Sequence, residues 1–230
     1  MAILHHHLIC PHSRFVRLVM AEYGMEPEFV DEKPFERNTE FLKLNPAGQT
    51  PVLVDSTAGV VPGANIIAEY LDETAGLSLG DKRLLPTDPL GRIEVRRLME
   101  WFNVKFHAEV SGWLVTEKVY KRFLPNAQGG GAPDMDLLRA ARANIRYHLR
   151  YIGWLVSQRN WLAGEKLTYA DLAAAAHLSS VDFLGDVPWH EDEMAKGWYA
   201  RIKSRPSFRP ILADRPGGLT PSPSYTDLDF

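Results

Sequence analysis

The sequence predicts two domains of different class, a small α/β domain at the N-terminus and an all-helical domain after it. Three observations carry this reading. Short apolar runs alternate with helical patterns over roughly the first eighty residues. Beyond the proline-punctuated stretch Leu84-Leu85-Pro86-Thr87-Asp88-Pro89 the strand signal disappears and long helical patterns take over. The chain, at 230 residues, is long enough to bury a substantial core as one large or two small domains. The expected boundaries are 1–83 for the first domain, 90–212 for the second and 213–230 for a C-terminal tail.

The elements of the first domain follow in order. Ala2 to Leu8 reads as a strand despite its three histidines. Phe15, Val16, Val19 and Met20 have helical spacing, and Gly24 is placed to stop that helix. Pro27 to Val30 reads as a second strand, and Phe41 to Leu44 as a short helix ending at the turn Asn45-Pro46-Ala47-Gly48. A strand over Pro51–Asp55, a turn and a short return strand at Val60-Val61 precede a helix from Asn65 to Thr74. The order β-α-β-α-β-β-α mixes parallel and antiparallel strands, as a thioredoxin-like sheet does.

In the second domain, Leu90 to Phe123 is one long helical pattern. The segment between Pro125 and Pro133 contains Gly129-Gly130-Gly131 and reads as a loop. A second long helix is expected from Asp134 to Arg159, with Leu138, Ala141, Ile145, Leu149 and Ile152 on one face. Shorter helices follow near Tyr169–Phe183 and Glu191–Lys203. The proline-rich stretch from Ala213 to Phe230 predicts no long regular element.

Composition excludes several classes. A net charge of −3 gives no global pull toward nucleic acid, and no apolar run suits a membrane span. Met1 to His7 lacks the basic and apolar regions of a signal peptide. One cysteine, Cys10, forbids an internal disulfide and suits a reducing, cytoplasmic setting. His5, His6 and His7 are successive strand residues that point to opposite faces, so they predict edge and surface histidines rather than a metal site. No other zinc-ligand spacing is present.

The strongest local motif is Trp161 to Leu172. Thr168 is placed as an N-cap with Asp171 at N3, a capping-box arrangement that also puts an acid at the positive end of the helix dipole. The alanine run Ala173–Ala176 that follows suits close helix packing. This Gly-x-x-x-Thr-x-x-Asp segment resembles the capping box of the glutathione S-transferase helical domain. Asn45 to Asp55 resembles the same superfamily's NPxGxxPxL segment, Ile66 to Leu71 its following helix, and Ser204 to Phe208 its C-terminal Arg-Pro element. The resemblance covers residues 2–212 and implies a thioredoxin-like domain joined to an all-helical one. It also implies that Pro51 is the family's cis-proline, which turns the preceding Thr50 amide toward a ligand.

That resemblance directs attention to the glutathione site. Cys10-Pro11-His12-Ser13 occupies the place of the family's thiol-polarising residue and resembles a Cys-Pro-x-Ser redox corner. A cysteine at a helix N-terminus is expected to be acidic and nucleophilic; the alternative is a small residue filling a retained corner. Members that bind glutathione carry an acid-serine or similar pair six and seven residues before the Tyr-Leu pair. Counted back from Tyr70, those positions hold Ala64 and Gly63, neither with a side-chain donor or acceptor. Each lost hydrogen bond to a charged group costs about 1.5–3 kcal/mol, so two weaken a ligand by roughly 10²–10⁴-fold. Cys10, Thr50, Pro51, Gly63 and Ala64 thus read as a vestigial pocket, with no cofactor expected. An enzyme would instead use glutathione with Cys10 as nucleophile, His12 as helper and Ser13 in support.

Two further features point to a partner. Arg139, Arg142, Arg146 and Arg150 recur at three- and four-residue steps and form one stripe beside the apolar face. It reads either as a solvated face or as a local basic patch for an acidic partner. The tail alternates Tyr225, Leu228 and Phe230 with Asp227 and Asp229, which reads as a docking segment or as a terminus lying on its own domain. Together with the Arg205–Asp214 segment, this tail resembles a transferase-like branch of α-proteobacterial division proteins. That resemblance implies a non-catalytic cytoplasmic homodimer at the division site that binds filaments of the tubulin homologue FtsZ. It implies that the protein bundles and curves them and promotes constriction and wall synthesis. The large apolar residues Trp101, Phe102, Phe106 and Trp113 suit such a dimer, as more than one core readily covers.

Overall fold

A computed structural model of the protein describes residues 2–228. Strands β1 (Ala2–His6), β2 (Glu28–Asp31), β3 (Val52–Asp55) and β4 (Gly59–Pro62) form one sheet in the order β2-β1-β3-β4. β1 runs parallel to β2, pairing Leu4 with Phe29, and antiparallel to β3, pairing Leu4 with Leu53. β3 and β4 form an antiparallel hairpin. Helices α1 (Pro11–Glu22), α2 (Thr39–Leu44) and α3 (Ala64–Thr74) complete a thioredoxin-like unit. Pro11 opens α1 ahead of the apolar residues that predict the helix, because its fixed φ suits a first helical position. Phe15, Val16, Val19 and Met20 are all buried.

The three histidines are not the surface residues predicted. β1 has a strand on each side, which leaves it little free edge, and His6 and His7 are buried. His5 Nδ1 lies 2.8 Å from Glu32 Oε1, and His7 Nδ1 lies 3.1 Å from Asp31 Oδ1.

The long helical pattern after the linker resolves into three pieces. α4 (Pro89–Glu100) is capped by Asp88, a π-helical stretch spans Trp101–Ser111, and α5 (Gly112–Lys118) follows. Apolar spacing could not reveal the change to i→i+5 hydrogen bonding in the middle. Phe102 and Phe106 are fully buried, and Trp101 and Trp113 pack partly buried against the same core. These residues therefore do not supply the uncovered apolar surface expected of them. In the triple-glycine loop, a Cβ on Gly130 would fall 1.8 Å from the Leu124 carbonyl oxygen, so the chain closes there only with glycine.

α6 (Met135–Gln158) is capped by Asp134, and its predicted face of Leu138, Ala141, Ile145, Leu149 and Ile152 is buried. α7 (Tyr169–Phe183) is buried along its whole length and runs between α1 and the π-helical stretch, with α8 (Glu193–Lys203) against α6. Ala173–Ala176 have no exposed surface, which permits that close approach. Asp171 Oδ2 accepts from the Thr168 N–H and hydroxyl, both at 3.0 Å, and Oδ1 accepts from Leu162 N–H and Trp198 Nε1. α9 (Arg209–Ala213) and α10 (Pro223–Thr226) close the chain, and Arg17 pairs bidentately with Asp214 at 2.6 and 2.9 Å. Among the described residues, no helix is long and apolar enough to cross a membrane.

Candidate functional site

The N-terminal ends of α1 and α3 open on a cleft of about 720 Å³ between the sheet domain and the π-helical stretch. Cys10, Thr50, Gly63 and Ala64 all line it. Cys10 is the N-cap of α1 in extended conformation and is nearly buried. Its Sγ lies 3.7 Å from the Thr50 carbonyl oxygen, and its thiol is hydrogen-bonded to His12. His12 Nε2 sits 2.8 Å from the Asn103 carbonyl oxygen. A carbonyl only accepts, so Nε2 carries the proton and Nδ1 is left for the thiol.

This geometry governs the ionisation of the pair. Burial pushes the Cys10 thiol up. The His12 hydrogen bond and charge, the Ser13 N–H and the contact with Thr50 outweigh it and bring the thiol down to about 6. Burial lowers His12, but its partnership with Cys10 and its bond to Asn103 raise it above the ordinary imidazole value. Each residue thus favours the charged form of the other. Ser13 does not share in it through its side chain: the hydroxyl is buried away from the cleft and accepts from the His7 N–H at 3.2 Å.

On the opposite wall, the Thr50–Pro51 peptide is cis, and the Pro51 carbonyl accepts from Gly63 N–H at 3.0 Å. Gly63 has φ +91°, outside the range that side chains adopt readily. Cys10, Thr50, Gly63 and Ala64 thus share one cleft, Pro51 is not among its lining residues, and positions 63 and 64 offer it no polar side chain. The Thr50 side chain faces the Cys10 thiol as a further hydrogen-bond partner.

Several cleft residues were not visible in the sequence. Asn65 in the first turn of α3 accepts through Oδ1 from Asn103 Nδ2 at 2.6 Å. Asn103 Oδ1 then accepts from His177 Nε2 at 3.1 Å, and His177 Nδ1 accepts from the Ser111 hydroxyl at 2.8 Å. Ser111 Oγ lies 3.3 Å from His107 Nδ1. Burial and the nearby His12 bring His107 down to about 4 and hold His177 well below the usual range, so both resist protonation. The only signal in the sequence was the step of four through Asn103, His107 and Ser111, which gains meaning once the helix there is known to be π.

The tail departs from expectation. Tyr225 is fully buried, donating to the Ile211 carbonyl at 2.8 Å, with its ring 5.1 Å from that of Phe183 and beneath the Arg14 guanidinium. It is not available to a partner. Lys203 Nζ donates to the Ser224 carbonyl at 2.6 Å and to that of Asp227, while Ser222 Oγ donates to the Asp182 carbonyl at 2.6 Å. The tail is thus held on α7, α8 and α9, as a terminus lying on its own domain. The Asp227 side chain is exposed; Asp229 and Phe230 lie outside the described residues. In the stripe, Arg139 pairs with Asp136, Arg142 with Asp186 at 2.8 Å and Arg146 with Glu191 at 2.8 Å, and Arg150 is exposed. Internal acids satisfy much of this positive charge.

Comparison with known proteins agrees with the architecture. Residues 9–74 match the family described as "Glutathione S-transferase, N-terminal domain", and residues 125–206 match "Glutathione S-transferase, C-terminal domain". The chain is 46% identical to FtsZ-localized protein A of Caulobacter vibrioides (strain NA1000 / CB15N), over 99% of this chain and 97% of that protein. A crystal structure of a glutathione S-transferase from Sinorhizobium meliloti 1021 superposes with a TM-score of 0.97 at 52% identity, over 100% of both chains. FzlA from C. crescentus superposes with a TM-score of 0.92 at 45% identity, over 100% of this chain and 99% of that one.

Proposed function

The chain belongs to the glutathione S-transferase family, and within it we propose a non-catalytic protein that binds FtsZ filaments at the division site. The observation that carries this reading is the 46% identity, over nearly the whole of both chains, with a protein named for its localisation with FtsZ. The blank positions Gly63 and Ala64 support it, because a glutathione-dependent enzyme needs side chains there that this chain lacks. In this reading the protein bundles and curves the filaments and promotes constriction and wall synthesis. Asp227, Asp229, Phe230 and the exposed Arg150 are the candidate contacts. Co-sedimentation with polymerised FtsZ tests it. The protein is expected in the pellet only when FtsZ is assembled, and a protein left in the supernatant at micromolar concentrations of both would refute the reading.

A homodimer is part of this proposal. Ile66 on α3, Leu90 and Ile93 on α4, Val104 in the π-helical stretch and Val60 on β4 are exposed large apolar side chains in the elements named. They supply the uncovered surface that Trp101 and its neighbours do not. One observation favours a second reading, a glutathione-dependent transferase or thiol reductase: Cys10 is paired with His12 as an acidic thiol in an open cleft. Transferase or reductase activity that disappears in Cys10→Ala would select it.

A further inference from the structure

On the far side of the helical domain, two side chains from packed helices share a hydrogen bond that exists in only one protonation state. His148, on α6, is fully buried. Trp101, which opens the π-helical stretch, donates its indole N–H to His148 Nδ1 at 3.0 Å. An indole N–H only donates, so Nδ1 is an acceptor and the ring's single proton sits on Nε2. Nε2 donates it to Glu109 Oε2 at 3.0 Å. Glu109 also pairs with Lys105, whose ammonium lies 5.6 Å over the Trp101 ring. Burial holds His148 below the ordinary imidazole value, against the pull of Glu109 and with a push from Lys105. Tyr147 is the titratable neighbour on α6 itself. On the α7 side, His177 lies beyond the Phe106 ring, which is 4.8 Å from His148 and 5.9 Å from His177.

We propose that His148 is an acid-operated catch on Trp101: a proton taken from water at Nδ1 releases the indole and reshapes the aromatic face beside it. The added proton turns the acceptor into a second donor, so the bond is lost and two N–H groups point at each other. One of the two rings must then move. His148 is held between the Phe106 and Tyr147 rings and by Glu109, which goes on accepting from Nε2. Trp101 is only partly buried and has water to turn towards. It packs on Tyr151 with ring centroids 4.5 Å apart, and Tyr151 stacks on Trp154 with planes 12° apart. Tyr147 and Trp154 are 53% and 58% exposed, so the release of Trp101 is felt at the surface. The catch operates whatever covers that face and does not rest on the filament-binding reading.

Nuclear magnetic resonance titration of the full-length protein, from neutral pH down to the onset of acid unfolding, tests this. The Trp101 indole N–H resonance, identified by its absence in Trp101→Phe, is expected to lose its hydrogen-bonded shift along one titration curve. The His148 Cε1–H resonance should follow the same curve, with a midpoint below 6.5. His148→Gln keeps an acceptor but takes up no proton, so the Trp101 step should vanish. In Trp101→Phe the neutral imidazole loses the bond that favours it, and the His148 midpoint should rise by about half a pH unit or more. If His148→Gln does not fold, the wild-type curves and Trp101→Phe decide. Four results would each overturn the proposal: a Trp101 resonance that stays put while His148 titrates, a His148 that stays neutral until the protein unfolds, a Trp101 step that survives in His148→Gln, or an unmoved His148 midpoint in Trp101→Phe.

Discussion

At the scale of single residues, Asp171 has the most to lose. Fully buried, it accepts from the Leu162 and Thr168 amides, the Thr168 hydroxyl and the Trp198 indole, and so joins the loop before α7 to α8. Burial raises its carboxyl above the usual range even with these donors around it. Removing the acceptor strands buried donors that each cost about 1–3 kcal/mol. Asp171→Ala is therefore expected to lower stability by about 3 kcal/mol or more in a denaturant titration, and a loss under 1 kcal/mol would show that water replaces the carboxylate. The motif was legible because both partners lie within one helical turn and the capping rule is local. Asn65, Asn103 and His177 were not, because their hydrogen bonds join positions far apart in the chain. Ser13 shows the same limit: its position in the Cys-Pro-x-Ser corner suggested the cleft, whereas its hydroxyl caps the end of β1.

At the scale of elements, the tail is where sequence pattern and structure part. Alternating aromatic and acidic residues after a proline-rich stretch gave no sign that α7 and α8 present a receptor for the aromatic. That receptor is built from Arg14, Phe183 and Lys203, drawn from three helices, which no local pattern brings together. The consequence separates two variants. Tyr225→Ala empties a fully buried site and is expected to cost about 3–5 kcal/mol. Truncation after Leu219 should be at least as damaging, since it also removes the Ser224 and Asp227 carbonyls that accept from the buried Lys203. Asp227→Lys instead changes an exposed side chain, so the melting temperature should move by only a few degrees while FtsZ co-sedimentation falls sharply. If Asp227→Lys pellets normally with filaments, the binding surface lies elsewhere. The π-helical stretch illustrates the same point more gently: its existence as helix was legible, and its wider turn was not.

Over the whole molecule, two domains of different class were readable from rhythm alone, because strand and helix periods differ and the change falls at one proline-rich linker. Their shared core was not, since α7 contributes buried residues to both sides at once. Glutathione at millimolar concentration is expected to give no saturable thermal shift or calorimetric heat, and a clear one would restore the enzyme reading. Sedimentation equilibrium at micromolar concentration should give a dimer, and a species of 26.0 kDa would contradict it. Acid should weaken the fold early. Burial holds His6 and His107 near 4, so from about pH 6.5 downward the unfolded chain binds protons the native state refuses. Stability should fall between those values by on the order of a few kcal/mol, His12 opposing part of it, and a flat urea midpoint across that range would refute the assignment.

Gly63 sets a limit on how the cleft can be rebuilt. Its φ of +91° is one an L-residue occupies only under strain, although the space around it is open, the nearest atom to an added Cβ being Ile66 Cδ1 at 3.8 Å. A carboxylate placed there would meet no clash and would still cost about 1–3 kcal/mol of backbone strain, whereas Ala64→Ser begins a helix with a residue that tolerates the position. An acid placed at 63 would therefore gain a ligand contact only at the cost of the backbone beneath it, so a glutathione-type side chain cannot be built at this position without giving up stability.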